Sequence, residues 1–380
     1  TGARVLALGL MSGTSMDGID AALIRTDGRH FVEARETLAV SYDTSMRGAI
    51  RSTLGGEAPV AAVERRLTDA HIAAVQALLD KAGVASSEVA VIGFHGHTIL
   101  HRPDERRTWQ IGDSGLLARA TGINVVGDMR VADVSAGGQG APLASLYHAA
   151  LAALLDKPIA VLNIGGVANV TWIGPGIGPG IGPGIGPGIG SGIGSDDGEI
   201  LAFDTGPGGA LLDDWASRNM GAPYDEDGRL AAAGTVDKAV LARLMDNPYF
   251  ELVPPKSLDR IDFDGTPVEG LTPADGAATL AAFTYCSVAL ATRHFPQPVK
   301  RWIVTGGGRH NPVIMSGLAG ALGVPVEPVE SVGWDGDALE AQAFAYLAVR
   351  SLYRLPLTVP GTTGVAVPLT GGQLFSADAA

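Results

Sequence analysis

Apolar positions along the 380-residue chain recur in two periods. Runs at 5–10 and 19–26 flank a Gly/Ser/Thr turn and predict a β-hairpin. Val60, Val63, Leu67, Ala70, Ala74 and Leu78 fall at helical spacing and predict a helix over 59–82. Buried strands are expected at 89–94 and 123–127, and a helix over 141–155. Runs at 159–164 and 167–173 predict a second hairpin with a Gly-Gly turn, followed by a strand at 200–203. Helices at 207–219, 235–246 and 272–295, a strand at 302–305, a helix at 311–322, a strand at 324–329 and a helix at 338–354 complete the series. Such repeated alternation argues an α/β fold. Hairpin, glycine turn and helix occur near residue 5 and again near residue 160, which predicts two similar halves with a cleft between them. Gly and Ser over 133–138 break the pattern, so the halves are expected to be 1–133 and 134–380, with packing of the last helix back on the first half left open.

Composition adds a glycine excess, 53 residues with 23 prolines beside them. Hydrophobic residues make up 46% and charged residues only 18%, which supports packed cores rather than disorder. Eleven glycines lie in a Gly-Pro-Ile tract at 174–194 with a four-residue period. Gly loosens the backbone and Pro removes ladder donors, so this tract is expected to be an inserted surface loop. An elastin-like interaction tract is the sharper alternative. The formal net charge is −13, with only five lysines, which argues against a nucleic-acid partner. The single cysteine, Cys286, leaves no intrachain disulfide or Cys-based metal cluster and reads as core. No leader and no apolar stretch long enough to span a bilayer are read, so no membrane partner and a cytoplasmic location are expected.

Four glycine clusters follow strands or occupy hairpin turns: Gly13-Thr-Ser-Met-Asp-Gly18, Gly165-Gly166, Thr205-Gly-Pro-Gly-Gly209 and Thr305-Gly-Gly-Gly308. Glycine lets main-chain N–H groups approach an anion, and an Asp in the same turn can hold hydrated Mg²⁺. No Gly precedes a Lys, so no Walker A loop is present, and no dinucleotide fingerprint appears either. His95, His97 and His101 raise a metal site, but the third spacing is loose and no acidic ligand motif lies near. Trp334-Asp-Gly-Asp337 reads as a turn before a helix, with a cation site as the alternative.

The motifs Leu10-Met-Ser-Gly-Thr-Ser-Met-Asp-Gly18, Phe94-His-Gly-His-Thr-Ile99, Gly127-Asp-Met-Arg130, Gly137-Gly-Gln-Gly-Ala-Pro142, Asn163-Ile-Gly-Gly166 with Asn169, and Phe203-Asp-Thr-Gly-Pro-Gly208 resemble those of the anhydro-N-acetylmuramic acid kinases. Thr305-Gly-Gly-Gly-Arg-His-Asn311 and Leu339-Glu-Ala-Gln-Ala-Phe344 extend the likeness to nearly the whole chain apart from the insert. The resemblance implies the sugar kinase, actin and heat-shock ATPase superfold: two ribonuclease-H-like domains flanking an ATP cleft. It implies ATP and Mg²⁺ as cofactors and a reaction that opens 1,6-anhydro-N-acetylmuramic acid with water while phosphorylating O6. The product would be N-acetylmuramic acid 6-phosphate, in peptidoglycan recycling.

Carried over by motif, Asp204 is the expected catalytic base for water. Gly13, Thr14, Ser15, Met16, Asp17 and Gly18 are the expected phosphate hairpin, with Asp17 orienting the metal. Gly206 and Gly208 would cradle phosphate from the second half, and Gly306, Gly307 and Gly308 would pass close to the adenosine. His97, Arg130, Gln139 and Glu340 are nominated for the sugar; Arg130 suits a lactyl carboxylate or a phosphate because its guanidinium binds bidentately. Asp128 could simply pair with Arg130. His97, Gly209 and Met129 stand where the family more often has Gln, Asn and Phe. A kinase for another sugar or small carboxylate, and a non-catalytic ATP-binding clamp or filament protein, are the competing readings. The oligomeric state is open, a homodimer included.

Overall fold

The computed structural model describes residues 2–56, 59–176, 200–259 and 262–378. Nearly all of the tract expected as a surface loop at 174–194 lies outside the described residues. The chain divides into two compact units. The first comprises residues up to Leu155 together with Asp337 onward; the second runs from Asp156 to Pro175 and from Leu201 to Gly336.

In the first unit, β1 (Val5–Met11), β2 (Gly18–Thr26) and β3 (Val32–Ser41) form an antiparallel meander. Strand β4 (Val89–Phe94) lies parallel to β1, and β7 (Val125–Gly127) parallel to β4. Strand β13 (Gln373–Phe375) closes the edge antiparallel to β7, giving the order β13-β7-β4-β1-β2-β3. Strands β5 (His97–Arg102) and β6 (Arg107–Ile111) form a separate hairpin. The pleat sends Leu8 and Leu10 into one apolar cluster with Leu67 and Leu78 of α2 (Val60–Ala82). The intervening Gly9, and Gly93 on β4, face α11 (Leu339–Leu352). A Cβ on Gly9 would collide with the Ala341 carbonyl, and one on Gly93 with that of Phe344. These two glycines let the helix lie close on the sheet.

The second unit repeats the order. Strands β8 (Ile159–Ile164) and β9 (Val167–Ile173) pair antiparallel, and β10 (Ile200–Pro207) flanks β9. Strand β11 (Trp302–Thr305) is parallel to β8, and β12 (Val326–Pro328) parallel to β11. The order β10-β9-β8-β11-β12 matches β3-β2-β1-β4-β7, so both units carry the ribonuclease-H-like sheet. Trp172, Phe203 and Trp302 are buried in one cluster with Leu280 and Phe283 of α9 (Pro273–Ala291). Residues 273–294 are long and apolar enough to cross a membrane by length and composition, contrary to the sequence expectation. Two thirds of that window is buried inside the protein, against α6 (Ala210–Met220), α8 (Lys238–Met245) and α10 (Pro312–Leu322), so its hydropathy is that of a core helix.

Two expectations shift. The break at 133–138 falls inside the first unit, whose first stretch runs on to Leu155. Asp133 ties it there: its carboxylate accepts from the Gly140 amide at 2.6 Å and from Thr363 Oγ1 at 2.6 Å. Strand β10 also runs past Phe203 to Pro207, which delays α6 to Ala210. A proline is tolerated there because β10 is an edge strand.

Candidate functional site

Asp204 sits within β10 and is 5% exposed. Its amide donates to the Lys256 carbonyl at 3.1 Å, and its own carbonyl accepts from Tyr249 Oη at 2.5 Å. Its carboxylate Oδ2 accepts from the Leu258 amide at 2.7 Å. The segment from Tyr249 to Leu258 therefore fixes both main chain and side chain of Asp204. Lys256 braces that segment: its Nζ donates to the Tyr249 carbonyl at 3.1 Å and lies 4.5 Å from the Tyr249 ring centroid. Burial, with Arg293 nearby, pulls this ammonium down to about 8. Tyr249, Lys256 and Leu258 were not visible in the sequence; an isolated lysine among aromatic residues was the available signal.

The glycines of the second unit sort by what surrounds them. The amides of Gly208, Gly209 and Ala210 donate to the carbonyls of Gly166, Gly165 and Gly166. The Gly208 amide is thus taken up by the β8–β9 turn. A Cβ there would strike the Gly165 carbonyl, so close packing is what requires glycine. Gly206 packs against Ser287, 2.7 Å from a would-be Cβ. Gly306, with φ 79°, and Gly308 lie against Asn163 and Ile164, whereas a Cβ on Gly307 would have nothing within 4 Å. Arg309 holds this turn, donating from Nη1 to the Gly306 carbonyl and from Nε to Glu330. Asn163 Oδ1 is buried beside Gly306 with no hydrogen-bond partner among the described residues.

In the first unit, Met16 closes the β1–β2 turn through its amide to the Gly13 carbonyl at 3.0 Å. Met16 is buried at φ 57°, a left-handed conformation that costs a non-glycine residue energy. Its burial leaves Ser15 and Asp17 exposed, joined by a 2.7 Å bond from Ser15 Oγ to Asp17 Oδ1. Thr14 and Gly13 are half-buried in the same turn. A Cβ on Gly13 would meet only ordinary contacts, whereas Gly18 is required by the Val40 carbonyl of β3. The open backbone at Gly13 leaves main-chain N–H groups accessible to an anion such as a phosphate, and the exposed carboxylate of Asp17 is a hard oxygen donor of the kind Mg²⁺ takes.

Three histidines of the motif region point to separate partners. His95 Nε2 accepts from Arg130 Nε at 3.0 Å, His97 Nδ1 contacts Ser12 Oγ at 3.0 Å, and His101 Nδ1 contacts Thr108 Oγ1 at 3.1 Å. Among the described residues no group of three or more His, Cys, Asp or Glu could hold a metal ion. Tyr42 Oη donates to Ser12 Oγ, which is the same oxygen that contacts His97 Nδ1. Arg130 also donates from Nη1 to the Gly140 carbonyl at 2.6 Å; His95 and Gly140 fix it, in place of the Asp128 pairing considered above. Gln139 is half-buried with its amide on the Thr363 carbonyl, and Glu340 lies in the first turn of α11. His97, Arg130, Gln139, Glu340 and the turn at Gly13–Gly18 all belong to the first unit, whereas Asp204 and Gly306–Gly308 belong to the second.

Duplicated ribonuclease-H-like sheets with glycine turns at their strand ends define a chain of the sugar kinase and actin type. A family model described as anhydro-N-acetylmuramic acid kinase matches residues 5–190 and 192–377. Proteins of that name from Rhizorhabdus wittichii and Paramagnetospirillum magneticum are 53% and 55% identical over 378 and 372 residues. Each alignment covers 97% of this chain, with 98% and 99% of the relative. The chain belongs to the anhydro-N-acetylmuramic acid kinase family, enzymes that transfer a phosphoryl group from ATP to an alcohol of a small sugar.

Proposed function

We propose that the chain couples hydrolytic opening of 1,6-anhydro-N-acetylmuramic acid to phosphorylation of O6, yielding N-acetylmuramic acid 6-phosphate and ADP. The observation that carries this reading is Asp204, a buried carboxylate with its main chain and one oxygen immobilised. Asp204 takes a proton from water as the water oxygen bonds to the anomeric carbon. The bond from that carbon to O6 breaks, and O6 takes the γ-phosphoryl group where a glycosidase would supply a proton. One carboxylate therefore suffices.

Arg130, His97, Gln139 and Glu340 hold the sugar, Arg130 by its carboxylate. The turn from Gly13 to Gly18 and the glycines at 306–308 receive ATP, with Gly307 and Gly13 giving the backbone access that a Cβ would restrict. Mg²⁺, when bound, neutralises phosphate charge. Asp17 and Ser15 would hold it. The setting is peptidoglycan recycling in the cytoplasm.

Asp204→Asn tests the base. An amide oxygen can still accept from the Leu258 amide, so the fold is retained while the base is lost. Turnover should fall by about 10²–10⁴-fold with ATP affinity nearly intact. In labelled water, solvent oxygen should appear at the anomeric carbon of the wild-type product. Wild-type-like kcat in the variant would remove Asp204 from the mechanism.

A further inference from the structure

Arg130 would be a poor specificity element if it were mobile, because a flexible guanidinium loses orientational freedom on meeting a carboxylate. The first unit holds it at two points. His95, at the end of β4, is 6% exposed, and its ring lies 4.7 Å from that of Phe344 on α11, in a tilted arrangement. Its Nδ1 sits 2.8 Å from the Gly96 carbonyl, which can only accept, so Nδ1 carries the proton. Nε2 then presents a lone pair, and the guanidinium, which has donors only, supplies Nε–H at 3.0 Å. Burial, then the Arg130 charge, hold His95 well below its ordinary value, and His97 and His71 act in the same direction. The acceptor therefore stays neutral in the pH range where the enzyme would work.

The second point is the Gly140 carbonyl, which accepts from Arg130 Nη1. Gly140 is itself fixed, its amide donating to Asp133 Oδ1, while Thr363 Oγ1 donates to Asp133 Oδ2. Asp133 and Thr363 are buried. The chain Thr363–Asp133–Gly140–Arg130–His95 thus sets the guanidinium plane from both sides.

We propose that His95 is a positioning residue for Arg130 and, through it, sets the preference for a sugar that bears a carboxylate. This rests on reading Arg130 as the partner of the lactyl carboxylate. The test compares 1,6-anhydro-N-acetylmuramic acid with 1,6-anhydro-N-acetylglucosamine, which has the same ring without the lactyl group. His95→Phe keeps the packing on Phe344 and removes the acceptor. It should lower kcat/KM for the carboxylate sugar about 10–100-fold, mainly through KM, with little change for the other sugar. His95→Gln, whose amide oxygen can reach the position of Nε2, should restore most of the loss. His95→Asn, too short to reach, should behave like His95→Phe and serves if that variant does not fold.

Arg130→Ala separates the two ideas. If it leaves the preference unchanged, Arg130 does not meet the carboxylate and the inference falls with that reading. If it abolishes the preference while the His95 variants keep it, or if they slow both sugars equally, only the positioning role is refuted.

Discussion

The two units share a sheet order yet immobilise their candidate site residues by different means. In the first, side chains hold side chains: His95 on Arg130, Thr363 on Asp133, Tyr42 on Ser12 and Ser12 on His97. In the second, main-chain groups carry one end of each bond: glycine amides on the Gly165–Gly166 turn, the Asp204 amide on the Lys256 carbonyl, the Leu258 amide on the Asp204 carboxylate and the Asp204 carbonyl under Tyr249 Oη. Six of the eight histidines lie in the first unit. A side-chain network is vulnerable to titration, whereas a main-chain network is vulnerable to any added Cβ. The same fold should therefore fail differently in its two units.

Acid should expose the largest difference. Burial pulls His71, His101 and His148 down to about 4, with the charges of Arg130 and Arg102 acting in the same direction at His101. All three lie in the first unit. Their folded-state values lie below the ordinary 6.5, so the unfolded chain takes up protons first as pH falls. Their contribution is fully present above about pH 6.5 and is lost progressively toward pH 4, together on the order of several kcal/mol. Hydrogen exchange followed by mass spectrometry at about pH 7, 5.5 and 4.5 resolves the units. First-unit peptides should lose protection at higher pH. Simultaneous loss in both units would remove the distinction.

Glycine substitution probes the other unit. Gly208→Ala sets a Cβ on the Gly165 carbonyl and should cost about 1–3 kcal/mol, read in the urea midpoint. Gly307→Ala meets nothing within 4 Å, so its midpoint should hardly move while the KM for ATP rises. Equal effects of both on stability, with ATP binding unchanged, would mean that neither the packing nor the nucleotide role is assigned correctly.

Much of this architecture is written locally. Both hairpins, α2 and α9 follow from apolar runs and helical spacing, and the Pro312 start of α10 is marked by Asn311, whose side chain caps it. Strand β3 escaped because its sequence, VEARETLAVS, is that of a half-exposed edge with charged residues interrupting the apolar alternation. Candidates such as Asp204 and Arg130 could be singled out because they sit in short, ordered motifs. Their supports were not: Tyr249 reaches Asp204 across 45 positions and Thr363 reaches Asp133 across 230. No local periodicity encodes such a pairing. Glycine was legible as a residue and ambiguous as a cause. Gly208 and Gly307 look alike in sequence, yet one is required by a neighbouring carbonyl and the other has open space around its Cα.

The smallest effect tests whether the peptide groups around Asp204 position it for chemistry or merely complete the packing. Tyr249 is buried, and its hydroxyl has burial, then Asp204 and Asp262, pushing its ionisation far above the ordinary range, so it remains a neutral donor. Tyr249→Phe removes one hydrogen bond to the Asp204 carbonyl and keeps the ring beside Phe250 and Phe263. The stability cost should be about 0.5–1.5 kcal/mol, plus a desolvation term for a carbonyl left without that donor. If the bond only completes the packing, kcat will be unchanged. If it holds the strand so that the carboxylate meets water in line, kcat should drop several-fold at constant KM for both substrates, because the loss is confined to the transition state. A parallel Lys256→Met variant removes the brace on the Tyr249 carbonyl while leaving the Tyr249 hydroxyl in place. Additive losses in the double variant would mean two independent supports, and a non-additive result would identify one continuous main-chain clamp on Asp204.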